Sequence, residues 1–159
     1  MKGGVFVKII FCLFVVLFLI ALFYKKRVGV FCIYKKRVSL LTNAERSFYG
    51  VLLSVVPVND YDIFCKVRLL DIVYPDRKGY AHLNRVKSKH IDFLLCRKND
   101  LSPALAIELD DFSHIGRESR DCFKDEVMKL AGVPLVRFKV RAAYNLVAVS
   151  AEIMKNLQV

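Results

Sequence analysis

Ile107-Glu108-Leu109-Asp110-Asp111-Phe112-Ser113-His114 is an apolar run that turns into three carboxylates and then a histidine. In an extended strand side chains alternate, so Glu108 and Asp110 share one face while Ile107 and Leu109 share the other. Two like charges side by side repel and lose hydration, so folding alone does not place them there unless a cation or a proton offsets them. The stretch is either a candidate metal site or a strand end running into a solvated acidic turn, and its surroundings decide between them.

Toward the N-terminus, Ala104 to Asp110 is preceded by a connection, Arg97 to Pro103, that contains Asn99-Asp100 and reads as a hairpin. Before it, His90-Ile91-Asp92-Phe93-Leu94-Leu95-Cys96 is a second strand. Residues 74–89 form a polar, basic loop with no regular element evident. Tyr61 to Leu70 alternates Ile63, Cys65, Val67 and Leu69 with Asp62, Lys66 and Arg68, a half-buried strand. Thr42-Asn43-Ala44-Glu45 has the capping-box form, and Ala44, Phe48, Leu52 and Val55 follow at helical spacing, ending by Val56 before Pro57.

Toward the C-terminus, a polar loop from Asp111 to Glu118 leads to Ser119 as N-cap of a helix. Phe123, Val127 and Leu130 line one face of it, and Gly132 stops it. Leu135 to Val140 is a fourth strand, and an amphipathic helix runs from about Ala142 to Leu157 with Leu146, Val149, Ile153 and Leu157 aligned. The crossover helix lets the third and fourth strands be parallel, while the hairpin makes the second and third antiparallel. The expected fold is α/β: a helix, three strands, a helix, a strand and a final helix around a mixed sheet.

The remaining 39 residues differ in kind. Ile9 to Tyr24 carries no charge, and Val5 to Val7 extends the run beyond Lys8. Together they approach the roughly 20 residues that cross a bilayer as a helix. A cleaved signal peptide fits the basic start and apolar core, but Tyr24-Lys25-Lys26-Arg27 replaces its cleavage site. The expectation is a single transmembrane anchor over 1–39 and a second domain over 40–159. Lys25-Lys26-Arg27 and Lys35-Lys36-Arg37 follow the span, with the short apolar piece Val28 to Tyr34 between them. The positive-inside tendency places this flank, and the domain after it, in the cytoplasm. Eight of the 26 Lys and Arg precede the first acid, Glu45; the other 18 against 15 acids leave the second domain at +3 of the total +11. The basic balance therefore points to anionic lipid more than to nucleic acid. Cys12, Cys32, Cys65, Cys96 and Cys122 are scattered without a C-x-x-C pair, which reads as reduced thiols.

In the expected hairpin Asp92 and Glu108 lie on adjacent strands. Asp92 interrupts an apolar run, where an unpaired charge is costly. A hard, oxygen-ligated ion such as Mg²⁺ suits Asp92, Glu108 and Asp110, and could bind a phosphodiester and acidify an attacking water.

These residues carry a resemblance. Leu41-Thr42-x-x-Glu45-x-x-Phe48-Tyr49, Lys66-Val67-Arg68-Leu69, His90-Ile91-Asp92-Phe93, Ile107-Glu108-Leu109-Asp110-Asp111-x-Ser113-His114, Arg120-Asp121 and Ala131-Gly132-Val133-Pro134-Leu135-Val136-Arg137 recur in order. The chain resembles the restriction-endonuclease-like PD-(D/E)xK nucleases, in particular their Vsr-like branch and an uncharacterised bacterial family of unknown function. The resemblance implies Asp92 and Glu108 as ligands of Mg²⁺ or Mn²⁺, with Asp110 beside them. It makes His114 the residue that positions or deprotonates water and Glu45 the first-helix carboxylate. Asp110 stands where the motif carries its lysine, and Lys66, Lys89, Arg120 and Lys124 are available to replace that cation or to contact substrate phosphates. The implied protein is a nuclease acting on nucleic acid, DNA first, anchored in a bacterial inner membrane by one pass. The alternatives are a degenerate nuclease fold that binds nucleic acid or a protein partner without cutting, and a membrane-bound assembly protein whose carboxylates hold a stabilising cation.

Overall fold

The strand His90–Arg97 (β2) and the strand Pro103–Asp110 (β3) form the expected antiparallel hairpin, with Phe93 opposite Ile107 and Leu95 opposite Leu105. A computed structural model describes residues 3–31, 34–74, 83–110 and 118–157, with backbone alone at 3, 5, 6, 9, 25–31 and 118–122. Tyr61–Arg68 (β1) pairs antiparallel with β2, and Leu135–Lys139 (β4) pairs parallel with β3, giving the mixed order β1-β2-β3-β4. The chain divides into two compact units, Met1–Leu40 and Leu41–Val159.

The first unit holds α1, Gly3–Phe31. Its described apolar side chains are exposed; Phe11, Phe14, Phe18 and Phe23 are each more than half exposed. Among the described residues no helix is long and apolar enough to cross a membrane. The expected span therefore has no support from the described residues.

In the second unit, α2 (Asn43–Val55) opens with the predicted capping box: the Thr42 hydroxyl accepts from the Glu45 N–H, and the Thr42 N–H donates to Glu45 Oε2 at 2.9 Å. Phe48 and Leu52 of α2, with Val149 and Ile153 of the last helix α6 (Leu146–Leu157), cover one face of the sheet, packing on Phe93, Leu95, Leu105 and Ile107. The other face packs Ile91, Leu94, Cys96 and Ala106 against Leu69, Val86, Met128 and Val133. Met128 comes from the crossover helix α5, Glu118–Leu130.

The unit departs from expectation in four places. β1 stops at Arg68, and Leu69–Ile72 forms a helical turn, α3, because the Leu69 N–H turns to the Lys89 carbonyl and the Leu69 side chain is buried. Inside the stretch read as an irregular loop, Leu83–Lys87 is a short helix, α4, pinned by buried Val86; five residues are too few to show a helical period in sequence. α5 begins at Glu118, so Ser119 lies within it instead of capping it, and Leu130 is 82% exposed while Met128 takes the core position. α6 starts at Leu146, four residues later than read. Gly132 ends α5 as expected: its φ of +70° suits glycine, and the Val133 N–H returns to the Met128 carbonyl. Cys65 and Cys96 are free thiols whose pKa burial raises, which leaves both protonated at neutral pH.

Candidate functional site

Along β1, Ile63 and Cys65 pack against the α2 and α6 layer, yet Val67 packs on the opposite face; along β2, Leu95 and Phe93 pack on the first face and Ile91 on the second. A regular strand keeps i and i+2 on one side. Both strands thus exchange faces at one place, Lys66 and Asp92, which lie between the paired residues Cys65 and Phe93 on one side and Val67 and Ile91 on the other. The backbone gives the cause: Lys66 is in the left-handed region at φ +55°, where a residue with a Cβ is strained.

The gain from that conformation is electrostatic. Lys66 Nζ donates to Asp92 Oδ1 at 2.7 Å and to Glu45 Oε1 at 2.6 Å. Each carboxylate keeps its second oxygen on a backbone amide: Asp92 Oδ2 accepts from the Leu109 N–H at 3.0 Å, and Glu45 Oε2 accepts from Thr42. Glu45 therefore fills both of its sequence roles, helix cap and site carboxylate. Burial draws the Lys66 ammonium toward deprotonation, but the bonds to Asp92 and Glu45 outweigh it, and its pKa stands above the ordinary lysine value.

Glu108 follows Ile107 in β3, the strand that pairs with β2, and is only 6% exposed, the one buried charged residue among those described. Lys124 of α5 reaches its Oε1 at 2.6 Å and also donates to the His90 carbonyl at 3.2 Å. Burial pushes the Glu108 carboxyl above the ordinary carboxylate range, and Asp92 nearby adds to the rise, despite the opposing pull of Lys124 and Arg137. Asp110 shares the Glu108 face as the alternation predicts. Its partner is Arg137 of β4 at 3.2 Å, which also binds Asp125 of α5.

The structure thus brings Glu45, Lys66 and Asp92 into one cluster, Glu108 and Lys124 into a second beside it, and Asp110 with Arg137 into a third. It does not gather the expected ligand set: among the described residues no three His, Cys, Asp or Glu side chains stand where they could hold a metal ion together. Asp92, Glu108 and Asp110 each face a protein cation instead. His114 and Asp111 lie outside the described residues, and so does the side chain of Arg120. Lys89 sits with Arg85 at the ring of Phe123 and makes no ion pair, among the described residues, with the carboxylates it was a candidate to serve. Arg137 closes the last motif of the resemblance but has no role assigned from sequence; its register opposite Glu108 across the parallel β3–β4 pair is the signal that identifies it.

Comparison with known proteins gives one result. Neither the curated proteins nor the solved structures contain a match to this chain. A family model described as a protein of unknown function, DUF2726, matches residues 37–157, nearly the whole of the unit that carries the three clusters. The chain belongs to the DUF2726 family.

Proposed function

We propose that the unit Leu41–Val159 is a metal-dependent nuclease of the PD-(D/E)xK kind, close to the Vsr-like branch, that hydrolyses phosphodiester bonds in nucleic acid, DNA first. One observation carries this reading. Asp110 occupies the motif's lysine position, yet both motif acids have a lysine ammonium against them, Lys66 on Asp92 and Lys124 on Glu108. The missing cation is thereby replaced from β1 and α5.

The donor chemistry suits the implied ion. Carboxylate oxygens are the hard donors that Mg²⁺ and Mn²⁺ take. Asp92 and Glu108 would hold the ion; when bound, it supplies a Lewis acid for the phosphate and an acidified water. The chain's own residues do the rest. Backbone amides at Leu109 and Thr42 fix Asp92 and Glu45 in orientation, and the Lys66 and Lys124 ammoniums oppose charge that develops on phosphoryl oxygens.

Full-length protein in detergent, incubated with single- and double-stranded DNA and RNA, should cleave at least one of them with Mg²⁺ or Mn²⁺ and none in excess chelator. Asp92→Asn should abolish that cleavage. Equal turnover by the wild-type and Asp92→Asn proteins would sink the proposal.

A second reading has its own observation: Lys66 and Lys124 already neutralise both motif acids at 2.6–2.7 Å, as in a self-contained ion-pair network. A fold of this kind binds nucleic acid or a protein partner without turnover. Binding with no cleavage under either metal selects it.

The first unit enters the same proposal as an inner-membrane anchor with the nuclease on its cytoplasmic side. A helix apolar on every face needs an apolar surrounding. Fractionation of cells expressing the chain, washed with alkaline carbonate, should leave the protein in the membrane pellet. Its full release into the supernatant would remove the anchor from the proposal.

A further inference from the structure

We infer that Arg85, Lys89 and Phe123 form a phosphate-backbone contact that guides a nucleic-acid strand to the Asp92–Glu108 clusters; the inference rests on the nuclease reading and adds the substrate path to it. The Arg85 guanidinium carbon lies 4.3 Å from the centre of the Phe123 ring and the Lys89 ammonium 5.6 Å from it. Two cations sharing one ring is a costly arrangement unless the ring's negative face offsets their repulsion, and that offset is what a cation–π contact supplies. Among the described residues neither cation is in an ion pair. Their charge is therefore left for a ligand.

The backbone around them is fixed. Val86 is buried between Arg85 and Lys87, the Lys89 N–H bonds the Val86 carbonyl at 3.0 Å, and the Lys89 carbonyl accepts from Leu69 at 2.9 Å. Phe123 is packed against the core on the α5 side of the sheet. The patch is also tied to the carboxylates. Lys124, next to Phe123, holds both the His90 carbonyl and Glu108, while Lys89 precedes Asp92 by three residues, about 10 Å along an extended chain. A strand whose phosphodiester lies at Asp92 and Glu108 thus carries flanking phosphates toward Lys89 and Arg85.

The test measures binding without metal, so that it is independent of cleavage. Full-length protein in detergent and chelator is titrated with labelled single-stranded DNA between about 50 and 200 mM salt. Arg85→Gln with Lys89→Gln, which keeps side-chain bulk, should weaken binding several-fold at the low end. It should also reduce the slope of log affinity against log salt by about 1.4, two contacts at ~0.7 each. Phe123→Leu, which keeps both cations but removes their platform, should give a smaller loss. Melting temperatures near wild type show that the variants are folded. An unchanged slope in the double variant overturns the inference, as does a wild-type protein that binds no oligonucleotide, or a loss seen only with anionic vesicles. A chain that binds through Arg85 and Lys89 but never cleaves overturns the nuclease reading and leaves this one standing.

Discussion

Lys124→Met should cost about 3 to 5 kcal/mol of stability near pH 8, the usual price of leaving a buried charge without its partner. The carboxylate it strands is nearly inaccessible to water, and its pKa is already raised by burial. The sign of the pH dependence follows. A carboxyl whose folded pKa exceeds its unfolded value binds more protons in the native state between the two, so stability falls as pH rises from the ordinary carboxylate range through the raised value. The wild-type protein shows this weakly because Lys124 offsets part of the rise. In Lys124→Met the rise is larger, so the variant should be nearer to wild type at pH 5 than at pH 8. Adding Glu108→Gln removes the stranded charge and should recover most of the loss, since two neutral side chains in place of a buried pair are often tolerated. Urea melts of the three proteins at both pH values check this. A Lys124→Met variant as stable as wild type at pH 8 would mean that Glu108 has another cation. On the nuclease proposal both variants should lose at least about 10²- to 10³-fold in cleavage rate, the scale of one deleted electrostatic contact in a preorganised site. The double variant separates the two effects by regaining stability without regaining activity.

Phe48→Ala should lower the melting temperature of the folded unit by about 12 to 20 °C, from a loss of about 3 to 5 kcal/mol at ~4 °C per kcal/mol for a domain of this size. Phe48 is fully buried, and its ring meets Tyr144 at 4.9 Å, Phe138 at 5.0 Å and Phe93 at 6.0 Å. It is where α2, β2, β4 and the segment before α6 converge, so its removal leaves a cavity that no single element can close. Glu45 lies three residues earlier on the same helix, so a loosened α2 also loosens one of the two holds on Lys66. Differential scanning calorimetry reads the shift, and a change below about 3 °C would contradict the convergence of these elements on one ring.

What the sequence made legible follows from what each signal depends on. The four strands, their mixed pairing and the capping box depend on local alternation, turn residues and spacing, and all three are present in the chain as read. The position of Asp92 beside the Glu108 strand came from the hairpin alone. Lys66 and Lys124 stand among the four candidate cations, but the pairing of each cation with its carboxylate was not legible. Lys124, Lys66 and Arg137 reach their carboxylates from 16, 26 and 27 residues away, and no local pattern says which of many cations will arrive. α4 was invisible because a five-residue helix anchored by one valine has no period. The core role of Met128 in place of Leu130 reflects the rotation of α5 set by its packing, which the spacing of apolar residues left open by one position. The exchange of faces at Lys66 and Asp92 was equally hidden, since alternation was assumed to continue through both.

That exchange places two selective demands in conflict at a single codon. Glycine at position 66 would relax the backbone, whose left-handed conformation costs of order 1 kcal/mol or more with a side chain present. It would also leave Glu45 and Asp92, each largely shielded from solvent, facing one another with no positive charge between them. Arginine keeps the charge, but its planar fork does not match a single point shared by two carboxylates. Drift toward greater stability at residue 66 is therefore drift away from the charge arrangement of the site. The chain carries its lysine there at a standing cost to the fold.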